Sequence, residues 1–356
     1  MKLGIVGFGM RGRSLAALAK KSFGIEPAAI CDAMAPGLEA VKGDYPGTRL
    51  YASFERMLDE VQLDALLVET PAASHAALCA EALSRRIPVM SDVPAVATVE
   101  EAGLLWQAQQ AGNGFYMLGA NTNLWGFADE AVDLVARGVL GRPYFMEAEY
   151  IHDIREYFDK TPWRKNYESI RYCTHSLGPL LRLIDEDLEW VSCFDTGSHI
   201  NRQDGQHDAM TATFRTRSNV VVRLLTSFIN TYPAWGHAYR VYGTKGYFER
   251  GRGCEGIGAA KTLYYSSDCH DKKALHEIPA GEMPKGVGEG AVDEHGGVDY
   301  ALLKLFFTAV RDGAPSPIPL REALRMTLPG IAAAESARQG GALTRIRYPW
   351  RAAGEA

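Results

Sequence analysis

Over the first third of the chain, short apolar runs of about five residues alternate with longer stretches of helical period. The pattern predicts strands at 3–6, 28–31, 65–69, 88–92 and 115–119, and helices at 13–21, 54–61, 74–85 and 99–111. These strands are apolar on both faces, as in a parallel sheet wound by right-handed βαβ crossovers. From 122 onward the pattern changes. A helix at 128–137 is followed by alternating strands at 144–151, 210–215, 220–227 and 238–242, which predict an antiparallel sheet with one polar face. An apolar helix is expected at 180–184 and another opening at 295–300. The Gly-rich, aperiodic stretches 251–261 and 277–294 are expected to be loops over a site. The chain therefore divides into an α/β domain at 1–121 and an α+β domain at 122–356, with a hinge at 121–125. The C-terminal helix is free to pack back on the first domain.

Composition narrows the function classes. Hydrophobic residues make up 47% of the 356 and charged residues 23%, which supports a sizeable core. A net charge of -5 offers no footprint for a phosphate backbone, so no nucleic-acid partner is expected. No apolar run approaches the roughly 20 residues that cross a bilayer, so no membrane partner is expected either. Cys31, Cys79, Cys173, Cys193, Cys254 and Cys269 show no metal-like or redox spacing. They read as reduced core thiols, as suits the cytoplasm. The stretch from Met1 to Val6 lacks a long apolar region and a cleavage site, so no signal peptide is expected.

The first predicted strand runs straight into Gly7-Phe8-Gly9-Met10-Arg11-Gly12 and then a helix. In that context Gly7 permits a tight turn, Gly9 lets a pyrophosphate approach the backbone, and Gly12 lets helix and strand pack closely. The helix N-terminus presents free N–H groups and a positive dipole end to the anion. Asp32 closes the next strand, where a carboxylate accepts from both ribose hydroxyls. No Arg follows it to receive a 2′-phosphate, so the cofactor is expected to be NAD rather than NADP.

Further on come Val68-Glu69-Thr70-Pro71-Ala72-Ala73-Ser74-His75, Ser91-Asp92-Val93-Pro94, Gly138-Val139-Leu140-Gly141-Arg142-Pro143 and Tyr242-Gly243-Thr244-Lys245-Gly246. With the glycine motif, these make the chain resemble the Gfo/Idh/MocA (glucose–fructose oxidoreductase, inositol dehydrogenase) family. The resemblance covers almost the whole chain. It implies a Rossmann doubly wound parallel sheet followed by an α+β domain with a large, mostly antiparallel sheet. It also implies NAD contacts at Thr70, Pro71, His75, Asp92, Val93 and Pro94, and a homodimer or homotetramer. Typical dehydrogenases of that family carry Glu-Lys-Pro where this chain has Asp92-Val93-Pro94, and their Lys helps move the proton of the reacting hydroxyl. Val93 can neither donate nor accept. The family's Asp-x-Gly-x-His motif is missing as well.

Other polar residues stand in. Tyr150-Ile151-His152-Asp153-Ile154-Arg155 extends a predicted strand and projects Tyr150 and His152 from one face. Trp163-Arg164, Tyr172-Cys173-Thr174-His175-Ser176-Leu177-Gly178-Pro179 and His295-Gly296-Gly297-Val298-Asp299 follow. In this order the motifs resemble the branch containing NAD-dependent α-N-acetylgalactosaminidases, which cleave glycosides by transient oxidation at C3 of the sugar. The resemblance implies catalytic roles for Tyr150, His152, Tyr172 and His175. It implies a carbohydrate site including Trp163, Arg164, Asn121, Trp125 and Asp299. Asn121 stands where the branch has a Glu, and the segment before Tyr172 is shorter. Imidazoles suit proton transfer near neutrality, while a tyrosine serves as base only beside a cation such as Arg164. His75 is expected to shape the cofactor side. His199, His207, His237, His270 and His276 show no constellation, and no metal-type spacing occurs. Two alternatives stay open: a plain sugar dehydrogenase, and a sensor of NAD and sugar without chemistry.

Overall fold

The computed structural model describes residues 1–33, 38, 41–112, 114–232, 236–252, 260–270, 273–279 and 297–351. The chain separates into two compact units. The first contains residues 1–120 with the described parts of 288–324 and 349–356; the second contains 121–287 and 325–348.

The first unit is built on β1 (Leu3–Val6), β2 (Pro27–Cys31), β3 (Arg49–Tyr51), β4 (Ala65–Val68), β5 (Val89–Ser91) and β6 (Tyr116–Leu118). These form one parallel sheet in the order β3-β2-β1-β4-β5-β6, the doubly wound arrangement the alternation predicts. Every residue of β1 and β4 is buried, because helices cover both faces. The helices are α1 (Met10–Phe23), α2 (Val41–Asp44), α3 (Phe54–Glu60), α4 (His75–Ser84), α5 (Val99–Gly112) and, returning from the far end of the chain, α8 (Val298–Asp312). Two elements escaped the sequence pattern, β3 and α2. Each is a turn of chain at most, too short to show a period, and β3 is the sheet's edge.

The second unit holds β7 (Pro143–Ile151), β8 (Leu188–Asp195), β9 (Met210–Thr216), β10 (Val221–Ser227), β11 (Gly236–Gly243), β12 (Gly246–Arg250), β13 (Thr262–Ser266), β14 (His276–Ile278) and β15 (Thr344–Arg345). Their order is β14-β13-β12-β11-β7-β10-β9-β8-β15, with β7 central. Among the described strands only β7 and β10 run parallel; the other neighbours are antiparallel. One face is charged, as the alternation predicts: Glu147 of β7 lies opposite Arg223 of β10 and Arg240 of β11, at 2.5 and 3.7 Å. The other face packs against α7 (Thr174–Leu181). The unit also contains α6 (Gly126–Ala136), while α9 (Leu320–Arg338) runs from residues of the first unit into the second.

Three expectations are corrected here. The helix expected at 180–184 is α7, which starts six residues earlier and ends at Leu181, so His175 sits in its first turn rather than in a loop. Pro179 lies inside the helix. Cys269 is exposed in the turn after β13, while Cys31, Cys79, Cys173 and Cys193 are buried thiols; Cys254 lies outside the described residues. Of the expected loops, 253–259 and 280–296 lie outside the described residues as well, His295 and Gly296 among them, but Glu277 belongs to strand β14.

Candidate active site

In the first unit the glycine loop has the shape its chemistry needs. Gly7 holds φ +87°, and a Cβ there would lie 2.6 Å from the Glu69 carbonyl group, so only glycine lets β1 turn against the end of β4. A Cβ on Gly12 would collide with the Gly7 carbonyl. A Cβ on Gly9 would meet nothing within 4 Å, which leaves the backbone at the N-terminus of α1 open to a ligand. That first turn contains no acidic residue. Asp32, at the end of β2, accepts a hydrogen bond of 2.6 Å from the Phe8 backbone N–H, and so stands beside the loop. Phe8 is buried, with Arg13 over its ring, and Met10 is exposed. This cradle fits a dinucleotide: an open N–H-rich helix end for a pyrophosphate and a carboxylate for ribose hydroxyls.

Other residues expected near the cofactor lie on the segments that follow β4 and β5. His75 is buried, with Nδ1 2.8 Å from the Pro94 carbonyl oxygen and Nε2 2.6 Å from that of Thr70. It thereby links the chain after β4 to the chain after β5. Thr70 Oγ1 accepts from the Ser74 hydroxyl at 2.7 Å, and the Pro71 carbonyl from the Ser74 N–H at 3.0 Å. Val93 is buried. The Arg11 guanidinium is committed to Asp299: two hydrogen bonds of 2.5 and 2.9 Å join the glycine loop to the first turn of α8. Asp299, expected on the carbohydrate side, thus belongs to the first unit as Arg11's counter-ion.

In the second unit, Tyr150 is the last residue but one of the central strand β7. Its register places it opposite Thr226 of β10 on one side and His237 of β11 on the other. The chain then continues beside β10, with the His152 N–H donating to the Ser227 carbonyl at 3.0 Å. Tyr150 Oη and His152 Nδ1 are 3.1 Å apart and share a hydrogen bond. From the opposite side come Tyr172 and the first turn of α7, which puts the His175 ring 4.7 Å from that of Tyr172 and 5.5 Å from that of Tyr150. Tyr150 and Tyr172 rings are 5.7 Å apart. Arg164 lies over the Tyr172 ring at 5.6 Å and over Trp163 at 5.0 Å. All four expected catalytic side chains therefore meet, with Arg164 and Trp163 beside them.

Two features hold the cluster in place. Pro179 has no N–H for the His175 carbonyl one turn back, and the Tyr239 hydroxyl of β11 donates to that carbonyl instead, at 2.6 Å. Arg250, buried, stacks on Trp125 and donates to the His237 carbonyl at 2.7 Å. Trp125 packs edge-on against His237 at 4.9 Å, while Asn121 is buried in the short 3-10 turn that precedes it.

His237 is the residue that sequence reasoning missed. It is buried, its ring 4.7 Å from that of Tyr150 and 6.4 Å from that of His175. It stands alone in the sequence, and only the β7–β11 register reveals its neighbours. Glu69 was missed too; a carboxyl just past the all-apolar β4 is the signal that marked it.

The electrostatics bear on one protonation state. Burial, with Tyr172 adding to it, pushes the Tyr150 phenol well above its ordinary range, and the opposing pull of Arg164 is smaller. Tyr150 therefore keeps its proton near neutrality. Every described lysine of this unit (Lys160, Lys165, Lys245, Lys261 and Lys273) is exposed.

Comparison with known proteins places the chain. Residues 1–119 match the family described as "Oxidoreductase family, NAD-binding Rossmann fold", and residues 129–249 match the GFO/IDH/MocA C-terminal domain. Over 96% of its length the chain is 22% identical to a glycosyl hydrolase family 109 protein of Solibacter usitatus, 86% of which is covered. Among solved structures, an oxidoreductase from Agrobacterium radiobacter in complex with NAD+, L-tartaric acid and magnesium superposes with a TM-score of 0.79 at 16% identity, covering 97% of this chain and 98% of that one. Levoglucosan dehydrogenase in complex with NADH and L-sorbose gives 0.79 at 17% identity, over 98% and 99%. The same two-part fold underlies both. With both of its domains matched, the chain belongs to the Gfo/Idh/MocA family of NAD-dependent oxidoreductases.

Proposed function

We propose that this enzyme acts on a sugar ring and cleaves a glycosidic bond without net redox change. The observation that carries the reading is the joining of the buried Tyr150 and Tyr172 with the half-buried His152 and His175 in one cluster, while the described lysines of that unit are exposed. Direct hydrolysis of a glycoside calls for two carboxylates flanking the bond. Here the gathered groups are phenols, imidazoles and a guanidinium, and the nearby Asp153 carboxylate is taken up by Arg155.

When bound at the glycine loop, next to Asp32, Thr70 and His75, NAD supplies a reversible hydride acceptor for a ring carbon, C3 in this reading. A ketone at C3 acidifies the neighbouring C2–H, which brings its removal within reach of a neutral imidazole. His175 is the proposed base for that proton. Tyr150, kept protonated by burial, donates its Oη–H to an oxygen that gains charge, with His152 behind it to exchange the proton. Arg164 and Trp163 bind and orient the sugar. Loss of the anomeric substituent, and addition of water with its hydroxyl to C1 and its proton back to C2, would complete cleavage, and NAD held at the glycine loop would supply the hydride that restores C3.

The test is to incubate the protein with a panel of aryl glycosides and NAD+. The expected result is aryl alcohol release with no accumulation of NADH; stoichiometric NADH formation would instead identify a plain sugar dehydrogenase. His175→Ala should abolish turnover and leave NAD+ affinity intact. An H175A protein that still cleaves would overturn the assignment of the base.

A further inference from the structure

Glu69 occupies the point where the first unit's sheet changes winding direction. β1 and β4 are neighbours there, and in folds of this type ligands bind outside the carboxyl ends of such strands. The glycine loop touches it directly. A Cβ on Gly7 would lie 2.6 Å from its carbonyl carbon, and a Cβ on Gly12 would lie 3.6 Å from its own Cβ. Its side chain therefore begins beneath the first turn of α1, the helix end whose positive dipole and free N–H groups suit a pyrophosphate.

The carboxyl is short of partners. Its side chain is 1% exposed, and Oε2 accepts no hydrogen bond among the described residues. The nearest cation, Arg11, has its Nε 4.0 Å away, too far for a hydrogen bond, and spends both terminal nitrogens on Asp299. The titratable groups facing Glu69 are Arg11 from α1, Asp92 from the end of β5, Asp299 from α8 and the Cys79 thiol from α4. With His75 occupied between two carbonyls, one guanidinium serves three carboxyl groups.

We propose that Glu69 is a cofactor-site residue that couples NAD binding to proton uptake: the dinucleotide is accepted when this carboxyl carries a proton and rejected when it is ionised. An ionised Glu69 is an internal anion at the same helix end that the pyrophosphate needs, buried where repulsion is poorly screened. Protonated, it leaves that end free. The charge balance already favours the protonated form, since burial first and Asp92 second raise its pKa well above the carboxylate range, with Arg11 opposing.

Calorimetric titration of the dinucleotide-free, full-length protein with NAD+, across pH and in two buffers of different ionisation enthalpy, tests this. Above the pKa of Glu69, Kd should rise by up to about tenfold per pH unit, with up to one proton taken up per NAD+ bound. Glu69→Gln should bind at every pH with the wild type's low-pH affinity and without that uptake. Asp92→Asn should move the midpoint of the wild-type curve to lower pH. An E69Q protein with the wild-type pH dependence, or with affinity lost at every pH, would overturn the proposal. Should E69Q fail to fold, the wild-type titration decides, because a Kd independent of pH with no proton uptake is equally fatal.

Discussion

At the scale of single residues, burial outweighs charge. Tyr150 has a guanidinium in its surroundings, which by itself favours a phenolate, yet the loss of solvent is the larger effect and holds the proton on. That protonated phenol is what suits Tyr150 to the donor role proposed for it, with an imidazole proposed as the base. Tyr150→Phe keeps the ring that packs on Tyr172, His175 and His237 and removes only the hydroxyl. Its kcat should fall by roughly two orders of magnitude, the usual worth of one positioned proton donor, with NAD+ affinity unchanged. A variant with unaltered kcat would remove Tyr150 from the proton path. The tyrosine–histidine alternation of this strand was legible beforehand because period two puts Tyr150 and His152 on one face whatever lies around them.

At the scale of elements, α7 shows how a local defect is used. Pro179 lies inside this helix, where proline removes an N–H and crowds the preceding turn. In the fold the carbonyl it leaves unserved is that of His175, and Tyr239 of β11 supplies the missing donor. The imidazole's backbone is thereby tied to the sheet. Tyr239→Phe would leave a carbonyl without its partner and should cost about 1–3 kcal/mol in urea unfolding. It should also lower kcat more than it raises KM, since the misplaced group is the proposed base. An unchanged midpoint of unfolding would show that the bond contributes nothing. The β7–β11 register works similarly, for it alone brings His237 against Tyr150.

At the scale of the molecule, the first unit couples ligand to stability. NAD+ binds the folded chain and not the unfolded one, so at about 100 times its Kd it should add about 2.7 kcal/mol to stability, seen as a raised Tm. NADP+ should give a smaller rise at equal concentration, because Asp32 stands beside the loop where a 2′-phosphate would meet like charge. Equal shifts from the two dinucleotides would contradict that role for Asp32. The pairing of Arg11 with Asp299, 288 residues apart, belongs to this scale too. It joins the glycine loop to a helix from the other end of the chain, and neither residue's neighbours in sequence hint at the other.

What could be read from the order of residues was whatever depends on a few consecutive positions. The glycine turn, the strand–helix alternation, the charged face of the second sheet and the pairing of Tyr150 with His152 all follow from backbone geometry and periodicity inside one segment. Only the folded chain decided that His237 joins that pair, that Asp299 answers Arg11, that α7 runs through Pro179, and that Glu69 lies buried with too few cations. Register and burial are settled by competition among all segments for the same interior, and no segment carries that information by itself.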